Sequence, residues 1–238
     1  MLHRSCLRLC AYVRTTPPGK PRFAVSLDTE SSARAGHDIG MISNRRKKIF
    51  ATLGPAGSNH DLNTARYIRL HGLDAEIRYI ENFFDAVDQM RTGEVDYTIQ
   101  VCAHPDVALT IERHHRDIFL IDSFIGPTKA MGVLTRKEVA HPKTVGYMIA
   151  TRGYFEPENW ETRIQVVSNA KVALGLLAGE YDSGFTSLEL AHQFPERFRI
   201  DKEIGEVDVA WLVYGTQRVR TSELLVWKDS PAAALLKT

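Results

Sequence analysis

Apolar residues recur along the chain in short runs and alternations separated by turn residues, and this pattern sets out most of the elements. Ile49 to Leu53 is a β-prone apolar run. Gly54-Pro55-Ala56-Gly57 reads as a tight turn after it, because proline fixes one dihedral and glycine permits positive φ. Ser58 stands three residues before Asp61, the spacing of a capping box, so a helix is predicted to start there. Glu76 to Ile80 then alternates polar and apolar with the period of a half-buried strand. Asn82 is placed to cap a helix over Phe83 to Thr92, with Phe83, Ala86, Val87 and Met90 on one face and Gly93 as its stop. Tyr97 to Val101 is a third strand. The order βαβαβ is the mark of a parallel sheet covered by helices.

The second half repeats part of this pattern. Arg163 to Val167 is strand-like, Ser168 or Asn169 caps a helix over Ala170 to Ala178, and Ser183 to Ser187 is the next strand. In each half an amphipathic helix ends on Gly-Glu-x-Asp and a strand follows, at Gly93-Glu94-Val95-Asp96 and at Gly179-Glu180-Tyr181-Asp182. Two similar α/β lobes are the simplest cause, and the chain is long enough for both. Ile118 to Ile121 and Ala130 to Leu134, separated by Gly126-Pro127, are strands where the chain crosses between lobes. Val209 to Tyr214 is the return, and Ser222 to Trp227 a last strand or helix on the first lobe. The expected division is 46–104 with 208–238 in the first lobe and 105–207 in the second. Residues 1–45, rich in Pro, Gly and Ser and without apolar periodicity, are expected to be a mobile extension, and Met41 is an alternative start.

Composition narrows the function more than the fold. Across 238 residues basic and acidic side chains nearly cancel, for a net charge of +1, so neither nucleic acid nor an anionic membrane is the expected partner. No stretch is long and apolar enough to span a bilayer, and the basic lead-in around Arg4, Arg8 and Arg14 lacks the uninterrupted apolar core of a secretory signal. The three cysteines, Cys6, Cys10 and Cys102, cannot all pair, which argues for a reducing cytoplasm. No phosphate-binding loop, dinucleotide fingerprint or zinc-type cysteine spacing is found, so neither a cofactor nor a metal is expected. The adjacent histidines of Glu112-Arg113-His114-His115 lack the i, i+4 spacing of a metal pair and read as a solvated helix face. A homodimer is left open.

The chemistry the pattern does suggest is anion binding. A helix beginning at Ser58 directs unpaired N–H groups, those of Asn59 and His60 among them, at whatever lies before the Gly57 turn. Arg152 follows the predicted strand Thr144 to Met148, where a loop of the second lobe faces the interlobe cleft and a guanidinium clamps a carboxylate.

The run Thr52-Leu53-Gly54-Pro55-Ala56-Gly57-Ser58 resembles the Gly-Pro-x-Gly-Thr opening of the prephenate dehydratase catalytic domain. The likeness continues through Tyr97-Thr98-Ile99, Ser168-Asn169-Ala170, Gly179 to Asp182 and Thr186-Ser187-Leu188-Glu189-Leu190-Ala191, about Ile49 to Thr216 in all. Within that superfamily it is most similar to the prephenate decarboxylase of the bacilysin pathway. The resemblance implies a two-lobed α/β fold of the type II periplasmic-binding-protein kind, with a ligand cleft between lobes. It implies a small anionic carboxylate as ligand, prephenate or a related dicarboxylate, held by Gly57, Ser58, Asn59, Arg152, Thr186 and Ser187. The Thr-Arg-Phe motif of the dehydratases is replaced by Val209-Ala210-Trp211, and their Glu-Asn-Ser segment by Ala103-His104-Pro105. Both changes remove groups that help hydroxide leave, so decarboxylation without aromatisation is the expected lyase reaction, with His60 and His104 as proton donors. Regulation through an ACT domain is not expected. The rival expectation is a binding module or sensor that keeps the fold without the chemistry.

Overall fold

A computed structural model describes residues 46–219 together with 224, 226, 227 and 232. The extension expected over 1–45 lies outside them, as does most of the element expected at 222–227. In chain order the elements are β1 (Lys48–Leu53), α1 (Asn59–Leu70), β2 (Ala75–Ile80), α2 (Phe83–Thr92), β3 (Tyr97–Val101), α3 (Val107–His114) and β4 (Phe119–Pro127). They continue with β5 (Met131–Arg136), β6 (Thr144–Tyr147), β7 (Thr162–Gln165), α4 (Asn169–Ala178), β8 (Ser183–Ser187), α5 (Glu189–Gln193), β9 (Phe198–Gly205) and β10 (Asp208–Gly215). Two short 3-10 helices, Ile149–Tyr154 and Pro157–Asn159, lie between β6 and β7.

The strands form two five-stranded sheets of matching design, in the orders β2-β1-β3-β10-β4 and β7-β6-β8-β5-β9. In each, three parallel strands are extended by two antiparallel pairings: β3 with β10 and β10 with β4 in the first sheet, β8 with β5 and β5 with β9 in the second. Both sheets belong to one compact unit. The two-lobed α/β fold expected from the sequence is therefore present. β4 was expected in the second lobe but pairs along its length with β10, so the first sheet runs through Pro127. The crossover is correspondingly short, 128–130 outward and 206–207 on the return. The apolar run at 118–121 marks a strand without marking its partner, because antiparallel pairing with a segment near the end of the chain leaves no local signature.

The repeated Gly-Glu-x-Asp has a physical explanation. Gly93 and Gly179 adopt φ of 78° and 75°, the left-handed conformation that ends a helix without a Cβ penalty. Each closes its helix in the same way, Glu94 N–H donating to the Gln89 carbonyl and Glu180 N–H to that of Gly175. The aspartate then clips the start of the central parallel strand. The Asp96 carboxylate accepts the Ile49 N–H at 2.9 Å, and that of Asp182 accepts those of Lys143 and Thr144 at 2.8 and 3.0 Å. Partial burial works to raise the Asp182 pKa, but these donors, the Thr144 hydroxyl and Arg136 outweigh it and hold the carboxyl below its ordinary range.

A carboxylate with a depressed pKa contributes stability above its unfolded pKa and loses it as pH falls through the folded one. Asp182→Ala is accordingly expected to cost about 2 kcal/mol at pH 7 in urea unfolding. The gap to wild type should narrow as pH falls below about 4; a gap independent of pH would show that the carboxylate's charge is not what the clip uses.

Each lobe has its own core. In the first, one sheet face is covered by the Phe83, Ala86, Val87 and Met90 face of α2, as its periodicity predicted. The opposite face carries Phe50, Ile99, Trp211 and Val213 beneath Tyr67 and Ile68 of α1. In the second lobe, Val172 and Leu176 of α4 pack on Leu134 and Tyr181, with Phe155 and Phe185 on the other side. Among the described residues no helix is long and apolar enough to cross a membrane.

Candidate functional site

The C-terminal ends of the parallel strands in both lobes open on one cavity of about 320 Å³. Its walls include Gly57 to His60 from the start of α1, Ala103 and His104 after β3, Thr128 and Lys129 of the crossover, Ser168 to Ala170 from the start of α4, and Thr186 and Ser187 of β8. Seven of the eight residues singled out from the sequence thus meet in one place: Gly57, Ser58, Asn59, His60, His104, Thr186 and Ser187. Arg152 does not. It lies on the first 3-10 helix, exposed, and its guanidinium pairs with Glu158 at the surface. The neighbours Ala150 and Thr151 line the cavity instead, because the 3-10 helix, at three residues per turn, places the arginine on another side.

The starts of α1 and α4 are built alike. Ser58 and Ser168 are the N-caps, each hydroxyl accepting the N–H three residues on, of Asp61 and Lys171, at 3.2 Å. Gly57 completes the first cap by donating its N–H to the Asp61 carboxylate at 2.7 Å. That leaves the first two helical N–H groups of each helix, of Asn59 and His60 and of Asn169 and Ala170, without an acceptor among the described residues. The two ends are close together, since the amide nitrogens of Asn59 and Asn169 approach the same Met131 sulfur at 3.9 and 3.5 Å. Four backbone donors from two helices therefore converge on one cavity, with both macrodipoles adding positive potential there. The Ser-Asn pair preceding both helices was the sequence signal for this, and only its first copy was read as a site.

The polar side chains are largely engaged in holding the frame. The Asn59 carbonyl oxygen accepts the Lys129 N–H at 2.7 Å, so this side chain fastens α1 to the crossover and leaves only its backbone N–H for a ligand. Thr186, 1% exposed, donates to the Asn169 carbonyl at 2.7 Å, and Ser187 accepts the Glu189 N–H at 3.2 Å. Lys129 is paired with Glu189. No unpaired cationic side chain is found among the described lining residues.

Both histidines are uncharged at neutral pH. The His60 ring stands among Phe83, Trp211 and His104, with centroids 5.6, 5.2 and 6.4 Å away. Burial, and secondarily the neighbouring His104, push its pKa down to about 3. Its Nε2 accepts the Val101 N–H at 3.5 Å, so the ring proton is on Nδ1. This corrects the expectation of a protonated His60 acting as an acid near pH 7. Trp211 contributes to that burial from β10, its indole N–H fixed to the Gly126 carbonyl at 3.1 Å. His104 is also lowered by burial, although the Asp106 carboxylate 3.7 Å away works against it. Its Nδ1 accepts the Asp106 N–H at 3.2 Å, which leaves Nε2 as the nitrogen that carries the proton. Cys102 is exposed. Among the described residues no group of His, Cys, Asp and Glu could hold a metal ion.

Neither a protein-family model nor a curated protein matches the chain. Solved structures do share its architecture. A prephenate dehydratase from Arthrobacter aurescens, solved with L-Phe, is 16% identical, covers 79% of this chain and 69% of its own, and superposes with a TM-score of 0.52. The enzyme of the same name from Staphylococcus aureus is 13% identical over 80% of this chain and 77% of that one, at a TM-score of 0.49. A periplasmic domain of Bordetella pertussis BvgS is 14% identical over 71% and 80%, at 0.45. At such identity the likeness to the first defines the class of the fold, a two-lobed type II periplasmic-binding-protein-like α/β fold, and nothing of what occupies its cleft.

Proposed function

We propose that this protein binds a small carboxylate between its lobes and acts on it as a carboxy-lyase resembling prephenate decarboxylase. The observation that carries the reading is the convergence of four unpaired backbone N–H groups, from the starts of α1 and α4, on one cavity. Neutral donors on helix N-termini hold a carboxylate without a counter-cation. The rest of the lining is mostly apolar, and this favours decarboxylation over dehydration. A second carboxylate placed there is stripped of water with no cation beside it, and its loss as carbon dioxide relieves that cost. In prephenate the electron pair of the breaking C–C bond passes into the ring diene, and a ring carbon takes up a proton from water. The hydroxyl stays, because Val209-Ala210-Trp211 offers no acid to help it leave. His104, neutral and protonated on Nε2, is a hydrogen-bond donor in this scheme.

The test is to incubate the protein with prephenate and follow the products by NMR. A non-aromatic dihydro product that keeps its hydroxyl is the expected result. Phenylpyruvate would overturn the account of the missing acid. Thermal stabilisation by prephenate without turnover would remove the lyase and leave a binding module. Neither turnover nor stabilisation would remove prephenate from the proposal.

A further inference from the structure

The α4 helix reads Asn-Ala-Lys-Val-Ala-Leu-Gly-Leu-Leu-Ala, apolar on every side except at Asn169 and Lys171. A helix of that kind is ordinarily enclosed by protein all round. Here one face, Val172, Gly175 and Leu176, is buried on β8 and Tyr181. The other, Ala170, Ala173, Leu174 and Leu177, falls at helical spacing and lines the cavity. Leu174 is 51% exposed on that face, and Val167 beside the start of the helix is 71% exposed. Leu190 of α5 continues the apolar wall. The wall begins where the N–H groups of Asn169 and Ala170 are free and runs for roughly 10 Å, the length of seven residues of helix. Along it Lys129 has its charge met by Glu189, and Arg152 is directed elsewhere.

We infer that the cleft selects carboxylates whose body is apolar, with the carboxylate at the paired helix starts and the body laid along the Ala170, Ala173, Leu174 and Leu177 face of α4. This rests on the carboxylate-binding reading above and ranks its ligands: a dicarboxylate such as prephenate is held less tightly than an apolar monocarboxylate of its size, its second charge being the one destabilised against the wall. Such a ligand covers surface that the protein alone leaves wet. A second charge at the far end of the ligand has no partner on this wall and must be desolvated against it.

The test is calorimetric titration of the full chain with straight-chain alkanoates from acetate to octanoate, and with octanedioate. Affinity is expected to rise about fourfold for each methylene until the wall is filled, and octanedioate is expected to bind more weakly than octanoate. Leu174→Gln, at an exposed helix position, should flatten the rise. Leu70→Gln, at an 82% exposed leucine on α1 outside the cavity, should leave it intact and so exclude general adhesion of longer chains. Equal affinity for short and long alkanoates, an octanedioate that binds as well as octanoate, or a rise that persists in Leu174→Gln would overturn the inference while carboxylate binding stood. Absence of binding by every member, with or without turnover of prephenate, would overturn it as well; if prephenate too fails to bind, the carboxylate reading falls with it.

Discussion

Lowering the pH from 7 to 4 is expected to remove roughly 3 kcal/mol of stability through His60 alone, because its pKa is about 3 in the folded chain and about 6.5 in the unfolded one. The sign follows from where the proton binds. The unfolded chain takes it up below about pH 6.5, whereas the folded chain, with the ring enclosed by Phe83, Trp211 and His104, does not until about pH 3. The contribution is complete above the unfolded value and is lost progressively as pH falls towards the folded one. Carboxylates titrate over part of the same range, so the comparison is with His60→Phe, which fills the aromatic site without a titratable group. Urea unfolding of both proteins at pH 7 and pH 4 isolates the difference. The variant should lose about 3 kcal/mol less than wild type on acidification. Parallel losses would mean that the imidazole takes up a proton in place, and would restore it as an acid for the reaction.

The second large effect is expected from a substitution that removes one backbone donor and little else. Asn169 is the first residue of α4, a position where proline is tolerated because its N–H has no helical partner. Ser168 before it is extended, with φ −158° and ψ 157°, as a residue preceding proline prefers. Asn169→Pro is therefore expected to fold with nearly unchanged stability and to lose about 10- to 100-fold in carboxylate affinity, the range for one hydrogen bond to a charged group. Asn169→Ala removes the side chain, whose amide touches only the Met131 sulfur, and keeps the N–H. It should retain most of the affinity. Equal losses in the two variants would shift the role from the backbone to the side chain.

What could be read from the sequence was whatever short-range chemistry dictates. The strand at Ser183–Ser187 and the helix at Phe83–Thr92 have the bounds their patterns implied, and the Ser58 cap and the glycine stops form as expected. Seven candidate residues converged because strand ends and helix starts of a parallel sheet necessarily share an edge. The failures lie where distant segments meet. Nothing around Phe119 announces that its partner is Gly215, which is why β4 was assigned to the wrong lobe. His60 was read as an ordinary imidazole because Trp211, which helps to bury it, lies far along the chain on β10. Arg152 was aimed at the cleft because a six-residue 3-10 turn and the partner Glu158 are decided by packing and not by pattern. The apolar cleft face of α4 was legible in its composition, but the helix was read only as amphipathic and its second apolar face was not noticed.

The most direct test of the central claim is a ¹⁵N-labelled amide titration with prephenate, and in parallel with octanoate. The backbone resonances of Asn59, His60, Asn169 and Ala170 are expected to shift together and saturably, since one carboxylate is held by both helix starts. Shifts confined to a single helix start, or saturable shifts only at residues outside the cavity, would contradict it.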